Sequence, residues 1–188
     1  LNKVLLDVTK FKIKDFNLSN ELIFVDGGSN DGSLKIAKEF KDLKIYSLKN
    51  KKRGECIDFG IKKSKGDIIQ IVPTDGEYSI SDIQLLVSQI YLKKSEVVFG
   101  SRLIKNLDPS KLIKKVYGKN YFLYYLSKFG GIAISAFTLI LFNRFLTDPL
   151  TTFKCFNSRV VKNLKVKAKG VNYDIEQYLK FYDNKIYV

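Results

Sequence analysis

The sequence predicts an α/β fold, a mostly parallel sheet flanked by helices, and three observations carry that expectation. Short runs of β-branched and aromatic residues alternate with segments whose apolar residues recur every three or four positions. Most of the runs end in loops rich in Gly, Asp and Ser, residues that tolerate tight turns. At 188 residues and 45% hydrophobic content, the chain suffices for one domain with a sizeable core. No repeat or low-complexity linker divides it, so residues 1–188 read as a single domain.

Taken in order, Val4, Leu5, Val8 and Phe11 mark one face of an opening helix. Leu22-Ile23-Phe24-Val25 reads as a strand, and Asp26 through Ser33 as a turn-rich loop. A helix from about Ser33 to Phe40 follows, capped by Asp31 or Ser33. Residues 44–48 give a second strand. The basic loop Lys49–Gly54 then leads into a helix carrying Ile57, Gly60 and Ile61, closed near Gly66. Ile68-Ile69-Gln70-Ile71-Val72 is a buried strand ended by Pro73. Ser81 with Gln84 has the spacing of a capping box before a helix faced by Ile83, Leu86, Val87 and Ile90. Val97-Val98-Phe99 is a further strand, stopping at Gly100-Ser101-Arg102.

The alternation stops over residues 111–146, an aromatic-rich helical stretch flanked by lysines. Its uncharged run, Phe129 to Asn143, falls short of the roughly 20 residues a membrane span needs. A membrane-interface segment and a buried core helix fit it equally. Asp148–Phe156 reads as loop into strand, and Asn172–Leu179 opens a last helix with acidic residues in its first turn.

Composition narrows the chemistry. A net charge of +14 favours anionic partners such as nucleotides, lipid phosphates or acidic membranes. The lysines do not gather on one face and no aromatic RNA-binding signature appears, so nucleic acid is not expected as a partner. The chain has no histidine and two cysteines, which removes His-based triads and His- or Cys-rich metal centres. Two scattered cysteines without a leader fit a reducing, cytoplasmic setting. The first residue is leucine and methionine is absent, so a piece of a longer product is expected. Gly27, Gly28 and Gly32 lack the spacing of the dinucleotide fingerprint and of the P-loop, which demotes hydride transfer and NTP hydrolysis.

In parallel α/β sheets ligands bind beyond the carboxyl ends of the strands. Asp26, Arg53, Asp75, Glu77 and Arg102 all fall at or just after such ends. Asp75 and Glu77, two positions apart, suit a hard cation that takes carboxylate, water and phosphate oxygens. A plain turn around Asp75-Gly76 is the competing reading.

The ordered set Val25-Asp26-Gly27-Gly28-Ser29-Asn30-Asp31-Gly32-Ser33, Arg53-Gly54, Asp75-Gly76-Glu77-Tyr78 and Gly100-Ser101-Arg102 resembles the inverting GT-A nucleotide-sugar glycosyltransferases. Asp148-Pro149-Leu150-Thr151-Thr152-Phe153-Lys154 makes the chain most similar to the dolichyl- or polyprenyl-phosphate sugar transferases. The resemblance implies a GT-A, Rossmann-like fold and transfer of a sugar from a GDP- or UDP-sugar to a polyprenyl phosphate. It implies Mg²⁺ or Mn²⁺ as cofactor and a location peripheral to the cytosolic face of a membrane.

It further implies that Asp26, Arg53 and Asp75 bind the nucleotide-sugar and that Asp75 and Glu77 hold the metal. Arg102 and Lys154 would bind the acceptor phosphate, with Asp75, Arg102 and Glu176 in catalytic roles. Asp148, Asp174 and Glu176 are the candidate bases should the acceptor be a saccharide or another hydroxyl.

Five departures accompany the resemblance. The family's first strand, ahead of the opening helix, has no counterpart, and Pro73 stands where the first carboxylate of an Asp-x-Asp pair is usual. Gly27 replaces a frequent aspartate and Thr152 a glycine, and lysines are the only substitutes in 111–128 for a usual second arginine. A catalytically inactive nucleotide- or membrane-binding module is therefore the alternative from another class.

Overall fold

The computed structural model describes residues 1–13, 16–101, 120–142, 146–170 and 172–186. It opens on α1 (Asn2–Lys10), as the spacing of Val4, Leu5 and Val8 predicts, with Val4 and Leu5 buried. β1 (Leu22–Asp26) and β2 (Leu43–Ser47) pair in parallel, Leu22 opposite Leu43 and Asp26 opposite Ser47. Between them α2 is shorter than its sequence pattern suggests, Ser33–Ala37, and the Asp31 carboxylate accepts the Ser33 N–H at 3.0 Å.

A second sheet is built from β3 (Ile68–Gln70), β4 (Val97–Phe99) and β5 (Lys154–Asn157), in the order β3-β5-β4. β5 runs antiparallel to both neighbours, so β3 and β4 point the same way with a reversed strand between them. Both ladders of this sheet are thus antiparallel, and the parallel ladder among the described residues is that of β1 with β2; the sequence marks β5 only as loop into strand. β3 is also shorter than the apolar run to Val72, although the Ile71 N–H still reaches the Lys154 carbonyl at 2.9 Å.

Helices cover both faces of the second sheet, and the side chains of β5 alternate between them. Phe153 and Cys155 pack with Ile83, Leu86, Val87 and Ile90 of α4 (Asp82–Tyr91). Phe156 packs on the other face with Ile61 of α3 (Arg53–Lys63), Val161 of α6 (Ser158–Lys162) and Phe181 of α7 (Tyr173–Asp183). Burying both faces explains the near-continuous apolar run around β5. The expected Ser81–Gln84 capping box is not made: Ser81 gives no side-chain cap, and its hydroxyl lies 2.7 Å from that of Ser79.

α5 (Tyr121–Phe142) falls inside the aromatic stretch noted above; residues 102–119 and 143–145 lie outside the described residues. Its apolar side chains are widely exposed, Phe122 at 74% and Ile140 at 80%. Among the described residues no helix is long and apolar enough to cross a membrane.

The start of α3 is pressed against the segment leading into α7. A Cβ on Gly54 would stand 2.7 Å from the Lys169 carbonyl oxygen and 2.7 Å from Tyr173 Cδ2. Gly54→Ala is therefore expected to destabilise the fold by about 1–3 kcal/mol through overpacking. Gly60 of the same helix has only Val25 Cγ2 nearby, at 3.4 Å, so Gly60→Ala should be neutral or gain up to about 1 kcal/mol of helix propensity. Urea midpoints of the two variants test this; equal shifts would refute the assigned contact.

Candidate active site

One cleft of about 1170 Å³ runs the length of β1 and β3, and near their carboxyl ends it is lined by Asp26, Arg53, Asp75 and Thr152. Three of the five polar residues expected to converge do share this wall. Glu77 is not among the lining residues, and Arg102 lies outside the described residues.

Asp26 ends β1 and is 3% exposed. It accepts the Gly28 N–H at 3.1 Å and the Ser29 N–H at 3.1 Å. Burial pushes its pKa up, but the Ser29 hydroxyl and N–H, the Gly28 N–H and the Ser47 hydroxyl together hold it below the ordinary carboxylate value. As it stands, Asp26 shapes the loop beyond β1, and a direct hold on a base or ribose would compete with these bonds.

Arg53, first residue of α3, reaches Asp174 and the Thr152 hydroxyl with its guanidinium while its side chain stays 43% exposed. Asp174 lies in the first turn of α7, and its other oxygen accepts Lys154 Nζ at 2.7 Å. That lysine also donates to Gln177 Oε1 at 3.2 Å and sits 5.2 Å from the Phe99 ring centroid. Lys154 is 0% exposed, and burial pulls its pKa below the ordinary lysine value against the attraction of Asp174. Contrary to the expectation that Lys154 binds an acceptor phosphate, its ammonium is buried on Asp174 and Gln177. It secures Asp174, which in turn orients Arg53 at the cleft wall.

The rest of the 151–154 segment is tied down as firmly. Tyr78 shares a hydrogen bond with the Thr151 hydroxyl at 2.8 Å and stacks on Phe153 with ring centroids 4.7 Å apart. Glu176 also departs from expectation: its two oxygens accept the N–H groups of Lys167 and Ala168 at 2.9 and 2.7 Å. The Lys167 N–H is the main cause of its lowered pKa. Glu176 clamps the chain ahead of α7.

Asp75 lies in a tight turn beyond β3, its Oδ1 accepting the Glu77 N–H at 3.0 Å around Gly76, whose φ is +79°. Both carboxylates belong to exposed residues. Among the described residues no three His, Cys, Asp or Glu side chains come together as a metal site. Two exposed carboxylates alone do not make a protein-only cage for a cation.

Two outcomes follow. Asp174→Asn strands a buried ammonium and should cost about 3–5 kcal/mol in urea unfolding, part of it recovered by adding Lys154→Met. Full additivity of the two changes would refute the coupling. Because the folded-state pKa of Asp26 lies below its unfolded value, its contribution is complete above about pH 4 and is lost as pH falls through the folded pKa. The stability gap between wild type and Asp26→Asn should therefore narrow below about pH 4, and a gap constant with pH would refute it.

Comparison with known proteins agrees with this architecture. Residues 3–150 match glycosyl transferase family 2. The chain is 28% identical over 185 residues to the UDP-N-acetylglucosamine–dolichyl-phosphate N-acetylglucosaminyltransferase of Methanococcus voltae, covering 86% of this chain and 68% of that protein. It is 31% identical over 120 residues to a dolichyl-phosphate beta-glucosyltransferase of Trichomonas vaginalis, covering 57% of this chain and 36% of that protein. With the cholesterol galactosyltransferase of Borreliella burgdorferi it shares 28% identity over 104 residues, covering 52% and 27%. The chain belongs to glycosyl transferase family 2, as a GT-A glycosyltransferase domain resembling the polyprenyl-phosphate sugar transferases.

Proposed function

We propose that this domain transfers a sugar from a GDP- or UDP-sugar to a polyprenyl phosphate at the cytosolic surface of a membrane. The observation that carries the reading is the meeting of Asp26, Arg53 and Asp75 on one cleft at the carboxyl ends of β1 and β3. Asp26 and its loop are assigned to the nucleoside end of the donor, and Arg53 to the phosphates, a task its planar fork suits. Asp75, with Glu77, is assigned to Mg²⁺ or Mn²⁺. Such an ion, when bound, supplies positive charge against the departing diphosphate. Arg102 is assigned to the acceptor phosphate.

The choice of acceptor rests on the carboxylates. A hydroxyl acceptor needs a base. Asp174 is held by Arg53 and Lys154, Glu176 by two backbone N–H groups, and Asp148 is buried. An ionised phosphate needs no deprotonation, which favours a polyprenyl phosphate over the sterol or saccharide alternative. The names of the Methanococcus and Trichomonas relatives support the same choice. The exposed aromatic and aliphatic surface of α5 gives a means of lying in the lipid interface.

Donor-dependent labelling of a polyprenyl phosphate in vesicles is the direct test; transfer to sterol or saccharide alone would overturn the assignment. Asp75→Asn should weaken metal-dependent binding of UDP or GDP in calorimetry about tenfold or more with the melting temperature unchanged. Unaltered affinity would remove Asp75 from the metal site. Phe122→Ser with Ile140→Ser should lower the vesicle partition coefficient in flotation by about a hundredfold or more, each side chain contributing about 1.5–3 kcal/mol when buried. Undiminished flotation would remove α5 from the interface.

A further inference from the structure

Beyond Leu164 the chain approaches α7 along Lys165-Val166-Lys167-Ala168-Lys169, and burial alternates along it. Leu164 is buried and Val166 packs on the same core cluster, whereas Lys165, Lys167 and Lys169 are exposed. Apolar residues that reach the core at every second position leave the lysines between them on the outer side. Glu176 holds the backbone N–H groups of Lys167 and Ala168 at 2.9 and 2.7 Å, which fixes this comb of lysines through its main chain and leaves the ammonium groups outside.

The comb adjoins a second basic stretch. The Gly54 N–H donates to the Lys169 carbonyl at 2.8 Å, and Lys51 and Lys169 share the Glu55 carboxylate at 3.0 and 3.9 Å. A Cβ on Gly170 would meet Lys52 Cδ at 4.0 Å. Lys51, Lys52 and the comb therefore form one exposed basic surface, which reaches the start of α3, where Arg53 stands at the cleft wall. Glu55 and the backbone-clamping Glu176 offset its five ammonium groups only in part, so a positive excess remains. Among the described residues no carboxylate forms an ion pair with Lys52, Lys165 or Lys167.

We propose that this surface, made of Lys51, Lys52, Lys165, Lys167 and Lys169, docks on the headgroups of an anionic bilayer. A bilayer presents negative charge as a plane, and lysines spread over an open face on flexible stems meet it one by one. A single-stranded nucleic acid would ask for aromatic side chains to stack on, and the residues between these lysines, Val166 and Ala168, are small or aliphatic and half-buried. The surface ends beside Arg53, so docking brings the mouth of the cleft to the headgroup layer, where a lipid-borne phosphate can enter it. That consequence rests on the transferase reading, whereas the docking itself needs neither donor nor acceptor. It is also distinct from the apolar contact assigned to α5, because it depends on lipid charge and weakens with salt.

The test floats the donor-free chain with vesicles of phosphatidylcholine, with and without phosphatidylglycerol. A lysine near an anionic surface contributes roughly fivefold in binding, so Lys165→Gln, Lys167→Gln and Lys169→Gln together should lower the partition coefficient onto phosphatidylglycerol vesicles about a hundredfold and leave that onto pure phosphatidylcholine unchanged. Arginine at the same three positions should restore it. A control removes the same charge elsewhere, at the exposed Lys35, Lys38 and Lys41, and should cost less than about threefold, since distant charges are screened. High salt should erase the gap between wild type and the comb variant. Equal losses from the two triple variants would overturn the proposal by reducing it to net charge, and so would an equal loss on both kinds of vesicle. Comb-dependent binding of poly(U) tighter than that of the phosphatidylglycerol vesicles at the same salt would overturn it in favour of nucleic acid. Comb-dependent vesicle binding in a chain that transfers no sugar would sustain the proposal and count against the transferase reading alone.

Discussion

Lys154 is the constraint around which the cleft is built. A lysine at the centre of a sheet covered on both faces has no water to solvate it, and an unpaired ammonium there costs several kcal/mol. The fold meets this demand by bringing the first turn of α7 onto β5, so that Asp174 and Gln177 receive the ammonium. The same carboxylate also receives Arg53, which fixes the start of α3 against α7; the missing Cβ of Gly54 makes the approach close enough. One buried charge thus settles where three elements meet, and the guanidinium at the cleft is a product of that meeting.

Much of this architecture is legible in the sequence, and the failures have physical causes. The Asp- and Gly-rich ends of β1 and β3 announce themselves because turn chemistry is local. The place of β5 does not, since pairing with distant strands leaves no local trace beyond an apolar run. That Asp174, and not Glu176, receives Lys154 could have been anticipated. Asp174 falls on the helical stripe of Gln177, Tyr178 and Phe181, all buried, whereas Glu176 lies off it. A lysine within Phe153-Lys154-Cys155-Phe156 was the companion signal: it demands a buried acidic partner, and an acid on an apolar helix face supplies one. Ser81 misled because a capping-box spacing records an opportunity for hydrogen bonding that the neighbouring Ser79 hydroxyl takes instead.

Electrostatics and acceptor chemistry belong together here. The chain carries an excess of cations, yet the carboxylates nearest the 151–154 segment are committed to structural partners. A cleft whose acids hold its own framework is suited to substrates that arrive already ionised. Transfer between a nucleotide diphosphate and a phosphate acceptor asks mainly for placement and compensation of negative charge. Such chemistry leaves Asp174 and Glu176 to act as scaffold.

The reversed strand between β3 and β4 also governs the order in which the molecule can assemble. Both of its neighbours leave the ribosome well before it does, and neither pairs with the other, so the three-stranded sheet cannot close until Asn157 has been made. Until then the apolar faces of β3 and β4 are covered only by α3, α4 and transient contacts. Long-range closure of this kind slows folding and prolongs the exposure of sticky edges during synthesis. The nascent domain is consequently most vulnerable to misassembly in the interval before its carboxyl-terminal third emerges.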